Sequence, residues 1–230
     1  AKRPGGRQGL RSLSDAELVD LQMHSNDWYV RQARVLLQQR MADGRLDTKN
    51  VHARLKKAYE QAPNSAKKLR ALWALHVTGR FQGKDRAILE RYMLGNEKDE
   101  YIRAWAIQLL CEDGNPSDAA LKRFAEMAEK DSSPVVRMYL AAALQRLDFD
   151  QRWPILEALT KHGEDVEDNN IPRLLWFALE PMVPKHAQQA LKLAVTSKMP
   201  KLQEFVARRI AGGDAKLNIP RAPGAVSSQE

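Results

Sequence analysis

One phrase recurs along this chain and constrains its fold more than any other feature: a small or polar turn, two residues, an arginine, then an apolar helical run. The copies NDWYVRQARVLL, SAKKLRALWALH, DEYIRAWAIQLL, SSPVVRMYLAAAL and NNIPRLLWFAL place the arginine at Arg31, Arg70, Arg103, Arg137 and Arg173, at intervals of 39, 33, 34 and 36 residues. A degenerate copy, PKLQEFVARRI, puts Gln203 in the same register. A period of this size marks stacked helix pairs, because one pair cannot bury its apolar stripe alone and must pack on its neighbours.

The segments between these phrases read as amphipathic helices with local start signals. Ser14 and Glu17 form a capping box ahead of AELVDLQM, Asp47 or Thr48 caps VHARLKKAYE, and Ser117 caps DAALKRFAEMA. Further helices are expected to open near Lys84, Asp150 and Pro184. Gly44, Gly79, Gly83, Gly95, Gly114 and Gly163 all fall between predicted helices. Apolar positions such as Ile102, Trp105, Ala106, Leu109 and Leu110 follow the helical period, and no strand-length alternation survives. The expectation is an all-α chain, a right-handed α/α solenoid of about six helix pairs over residues 12–213. A flexible basic leader (1–11) precedes it and a Pro/Gly/Ser linker (214–230) follows it. The acidic stretch HGEDVEDNN, residues 162–170, reads as a solvated loop between the fourth and fifth repeats. Pro172, Pro181 and Pro184 predict a short fifth second helix and a kink there.

Composition narrows the function classes. With 230 residues, 43% hydrophobic and 29% charged, the chain can bury a core. Its longest apolar run, residues 138–144, falls far short of the ~18 residues of a membrane span, so no membrane insertion is expected. The N-terminal AKRPGGRQG has basic residues without an apolar stretch and is no signal peptide as it stands; the absent initiator Met suggests a processed chain or a fragment. Cys111 is the only cysteine, which excludes an internal disulfide and a zinc site built from several thiolates. The net charge is +8, but Lys2, Arg3, Arg7 and Arg11 supply +4 of it from the leader. The rest is dispersed, which favours a solvated surface over a nucleic-acid footprint.

The repeated phrase resembles the HEAT family, including its phycobilisome-lyase-like variants, whose second helix opens with a turn, an acidic residue, a β-branched residue, Arg and Ala; DEYIRAWAIQLL is the nearest copy. Residues 13–40, LSDAELVDLQMHSNDWYVRQARVLLQQR, further resemble the segment that opens the HEAT region of large putative membrane-bound dehydrogenases of planctomycetes and verrucomicrobia. That resemblance implies a β-propeller before this segment, a cytochrome c domain after it, and an exported location. The catalytic residues of that family belong to the propeller and its haem to a Cys-x-x-Cys-His motif. Cys111 is followed by Glu112, Asp113 and Gly114, so neither activity nor haem is carried over to these residues.

The candidate sites have plainer readings beside the functional ones. The five arginines can line an anion-binding face, but one turn into a helix they more readily bond the preceding turn or the adjacent repeat, with Asp27 and Asp99 as partners. They are read as a structural ladder. Trp73, Trp105 and Trp176 sit at core spacing among Leu and Ala; Trp28 beside Tyr29 lies in a turn, and that pair is the chosen binding candidate. His24, His52, His76, His162 and His186 show no metal-ligand spacing and read as surface residues. Glu164, Asp165, Glu167 and Asp168 lack the ligand alternation of a calcium loop. GGRQG at residues 5–9 lacks the ending of a phosphate loop, and no serine sits in a nucleophile turn.

No catalytic residue, metal or cofactor is therefore expected. The expected function is a non-catalytic scaffold, binding protein or spacing flanking domains of the same chain. The rival is a nucleic-acid-binding HEAT-like protein related to alkylpurine DNA glycosylases, although no match to the Trp-Asp constellation of their base pocket is present. A bilin lyase shares only the repeat.

Overall fold

A computed structural model describes residues 9–83, 86–90 and 97–214. Among these, every regular element is helical. Twelve α-helices follow one another: α1 (Asp15–Asp20), α2 (Asp27–Ala42), α3 (Thr48–Glu60), α4 (Ser65–Val77), α5 (Arg86–Leu89), α6 (Glu100–Leu110), α7 (Asp118–Lys130), α8 (Pro134–Ala143), α9 (Phe149–Leu159), α10 (Ile171–Leu179), α11 (Ala187–Thr196) and α12 (Pro200–Arg209). The recurring arginines fall in α2, α4, α6, α8 and α10, and Gln203 falls in α12. Lys84 and Gly95 lie outside the described residues, as does the tail from residue 215.

The chain divides into two compact units, residues 1–116 and 117–230. In the first, α2, α4 and α6 pack side by side, α1 and α3 pack together, and α3 lies against α4. In the second, α8, α10 and α12 form a row, α7 packs on α9, and α11 packs on α12. Each unit thus has second helices in one row, with first helices packed behind them.

The local sequence accounts for these elements. Ser14 and Glu17 close the capping box at α1, while Asp47 and Ser117 accept the N3 backbone N–H of α3 and α7. In α7, Ala120, Phe124, Met127 and Ala128 are buried; in α10, Ile171, Leu175, Ala178 and Leu179 are buried, the same i, i+4, i+7, i+8 stripe. Helices α2 and α4 end in Schellman turns. Gly44 and Gly79 take φ of 66° and 82°, and the N–H groups of Arg45 and Arg80 reach back to the Arg40 and Leu75 carbonyls. The positive φ is open to glycine at little cost.

Leu10–Ser12, at the end of the segment read as leader, form a 3-10 turn. Arg40 donates to the Arg11 and Leu13 carbonyls and pairs with Asp15 at 2.6 Å, so this part of the leader is fastened to α2. Three sequence expectations need correction. The acidic stretch is not simply solvated: Gly163–Asp165 is a 3-10 turn with Asp165 buried, because Arg137 neutralises its carboxylate. Trp73, Trp105 and Trp176 are half-buried rather than core: Trp73 packs edge-on against Trp105 between α4 and α6, and Trp176 lies tilted against Phe205 of α12. All five histidines are half-buried rather than surface residues, each lying against a carbonyl, carboxylate, backbone N–H or ring.

Candidate functional site

Two of the recurring arginines, Arg103 and Arg137, serve the turns that precede their own helices. A long side chain one turn into a helix points back toward the N-terminus, where loop carbonyls lack helical partners. Arg103 donates from Nη1 to the Lys98 and Glu97 carbonyls, and Arg137 from Nη1 to the Asp131 carbonyl. Gln203 repeats the device with a neutral amide, donating from Nε2 to the Ser197 carbonyl at 2.9 Å. Asp99 caps α6 by accepting the Tyr101 and Ile102 N–H groups.

Arg70 reaches further, to the turn of the preceding pair. Its guanidinium donates to the His24 carbonyl at 2.9 Å and lies 3.1 Å from Asp27. Asp27 also takes Arg31 at 2.6 Å, so one carboxylate joins the two arginines. Lys67 adds a bond from Nζ to the Met23 carbonyl. Arg137 is likewise doubly engaged, since Nε and Nη2 grip Asp165 at 2.6 Å each. Arg173 stands apart: it is exposed and pairs with nothing among the described residues.

Three further clusters were not singled out from sequence. Glu97 accepts from Lys68 at 2.7 Å and from the Tyr59 hydroxyl at 2.9 Å, with the Lys68 ammonium 4.9 Å from the Tyr59 ring centre. Burial and the Glu97 charge push the Tyr59 hydroxyl far above its ordinary range. Burial works to raise the Glu97 carboxyl, but the bonds from Lys68, the Asp99 N–H and Tyr59 hold it below the usual glutamate value. Arg86 chelates Asp113, bonds the Leu110 carbonyl, and holds the Asp113 carboxyl at about 2. Arg152, buried in α9, donates from Nε to the Leu147 carbonyl and from Nη1 to the Ala178 carbonyl at the end of α10.

The aromatic side chains separate into two roles. Arg34, Trp73 and Trp105 form a seam across α2, α4 and α6, with the Arg34 guanidinium 5.1 Å from the Trp73 ring centre and the two indoles edge-on at 4.8 Å. Trp28 does not join it. Its side chain is 55% exposed, edge-on to Tyr29 at 5.1 Å, and Tyr29 in turn meets His24. Trp28 and Tyr29 open a groove along α2 that continues over Gln32, Val35 and Gln39 and is walled by Leu10. Among the described residues no group of three His, Cys, Asp or Glu side chains is placed to hold a metal, and Cys111 is buried at the end of α6.

Compared with known proteins, the chain matches no family model and no curated sequence.

Proposed function

We propose that this chain is a non-catalytic HEAT-type scaffold, a right-handed solenoid of helix pairs that holds flanking domains at a distance or presents a surface to protein. The observation that carries this reading is the cross-repeat bonding of Arg70 to His24 and Asp27. It spends a second-helix cation on the turn of the neighbouring pair, a device that stiffens an array. The side-by-side packing of α2, α4 and α6, and of α8, α10 and α12, supports the same reading. The resemblance of residues 13–40 supports placing it between a propeller-type and a cytochrome c-type domain. The gene sequence on either side tests that placement.

A second reading, nucleic-acid binding, is favoured by one feature: a cleft where Trp176 and Phe205 lie 5.3 Å apart beside Arg208 and Arg209. Solution X-ray scattering and DNA titration of the whole chain separate the two. A scaffold gives a radius of gyration well above the ~17 Å of a compact globule of this length, and no binding to a labelled duplex at physiological salt. A globular radius overturns the scaffold. Tight DNA binding that weakens steeply with salt establishes the rival.

A further inference from the structure

The register of the repeat identifies what the open face of α2 lacks. Counting from the recurring arginine, the residues one and four places on are Gln32 and Val35 in α2, Ala71 and Ala74 in α4, and Ala104 and Ile107 in α6. Eight places on stand Gln39, Thr78 and Cys111. In α4 and α6 all of these positions are buried, on helices that pack against α2 and α4 respectively. In α2 the same positions are exposed, with Val35 at 45%, and Trp28 extends the stripe by one turn. On α4 the flank of this face also meets the preceding pair through Lys67 and Arg70.

A second observation points the same way. Arg70 reaches the His24 carbonyl and Asp27 of the helix before it, whereas Arg31, its counterpart, is 71% exposed and holds only Asp27 of its own helix. The guanidinium stands where α4 uses one to grip the turn of a neighbouring helix.

We propose that the face Trp28, Gln32, Val35 and Gln39 is a docking surface for one amphipathic helix of the flanking domain that meets this end of the scaffold, lying parallel to α2. The partner carries what α2 itself offers α4: side chains at the spacing of Arg34, set 5.1 Å from the Trp73 ring centre, and Met41, set beside Gly79, and an N-terminal turn whose carbonyl and carboxylate receive Arg31. The occupant is read from continuity with the α2/α4 and α4/α6 contacts, which repeat the same surface twice in this unit. The inference rests on the scaffold reading and names the partner that one end of it takes.

The test uses a helix-stapled, fluorescein-labelled peptide with the sequence of residues 24–42, the segment that covers the equivalent face of α4, titrated with the full chain and read by anisotropy. Saturable binding is expected. Val35→Glu and Arg31→Ala in the chain, both at exposed positions, each weaken it by about tenfold or more, as does Arg34→Asp in the peptide. Gln32→Arg serves as a second block of the same face should Val35→Glu alter the far-ultraviolet circular dichroism. Absence of saturable binding, or binding indifferent to Val35→Glu and Gln32→Arg, overturns the proposal. A dimer of the native chain in sedimentation that Val35→Glu dissolves also overturns it, assigning the face to a second copy. An elongated particle that fails to bind the peptide leaves the scaffold reading standing, whereas a globular particle removes that reading whatever the peptide does.

Discussion

Arg137 and Asp165, 28 residues apart in the chain, meet as a two-pronged ion pair in which both side chains are less than 5% exposed. The pair fastens the turn Gly163–Asp165 onto α8, and the third guanidinium nitrogen is used by the Asp131 carbonyl. Two charges withdrawn from water are tolerable only while each neutralises the other. Asp165→Asn leaves a buried guanidinium half-satisfied and is expected to destabilise the chain by about 3–5 kcal/mol in urea unfolding. The double variant Arg137→Met, Asp165→Leu removes both charges and is expected to recover most of that loss, a non-additivity that a double-mutant cycle measures directly.

Glu97 supplies a pH dependence. Although burial opposes its charge, the bonds from Lys68, the Asp99 N–H and Tyr59 hold its carboxyl below the ordinary value. A group depressed in the folded state stabilises that state above its unfolded value, and the contribution is lost as pH falls through the folded value. Glu97→Gln is therefore expected to lower stability at neutral pH and to converge with the native chain in acid. Urea midpoints measured from neutral pH downward check this; a constant difference across the range would contradict it.

How much of this was legible in the sequence depends on how local the signal is. The capping residues Ser14, Asp47 and Ser117 act within three residues of themselves, and the arginine phrase marks the opening of α2, α4, α6, α8 and α10 because turn, cap and apolar stripe occupy one short window. The sequence predicts Trp28 and Tyr29 in a turn, whereas both lie in the first turn of α2, which Asn26 caps, and the exposure of Trp28 depends on which helices flank α2. Asp165 looked like one more charge in an acidic loop, since its partner lies a whole helix pair away. Arg152 carried no signal at all, as it belongs to a first helix outside the phrase. The half-burial of Trp73 and Trp105 follows from Arg34 and from their mutual edge contact, a relationship among three helices that periodicity within one helix does not contain.

Leu109 tests the register of α6. Its side chain is only 9% exposed and borders a cleft with Phe81 and Leu89. Leu109→Ala removes buried methyl groups and is expected to cost about 2–5 kcal/mol, toward the lower end because the open cleft lets neighbours relax into the space. Leu110→Ala, fully enclosed one position on, should cost more within the same range. Paired denaturant unfolding of the two variants checks the order, and a reversed order would place the wrong face of α6 inward.

Arg152 joins two helices through carbonyl groups alone. Its Nε bonds the Leu147 carbonyl ahead of α9 and its Nη1 the Ala178 carbonyl in α10, while the guanidinium lies 4.9 Å from the Phe149 ring centre. Burial depresses the guanidinium's proton affinity and Asp148 partly restores it. Lysine presents a point charge and cannot span two carbonyls set at the angle of a guanidinium fork. Arg152→Lys is therefore expected to destabilise nearly as much as Arg152→Met, each by about 1.5–3 kcal/mol, the range for charged hydrogen bonds. Amide hydrogen exchange locates the effect: protection should fall at the end of α10 and the start of α9 in both variants, and a lysine variant that keeps native protection there would show that charge, and not the fork, holds the two helices together.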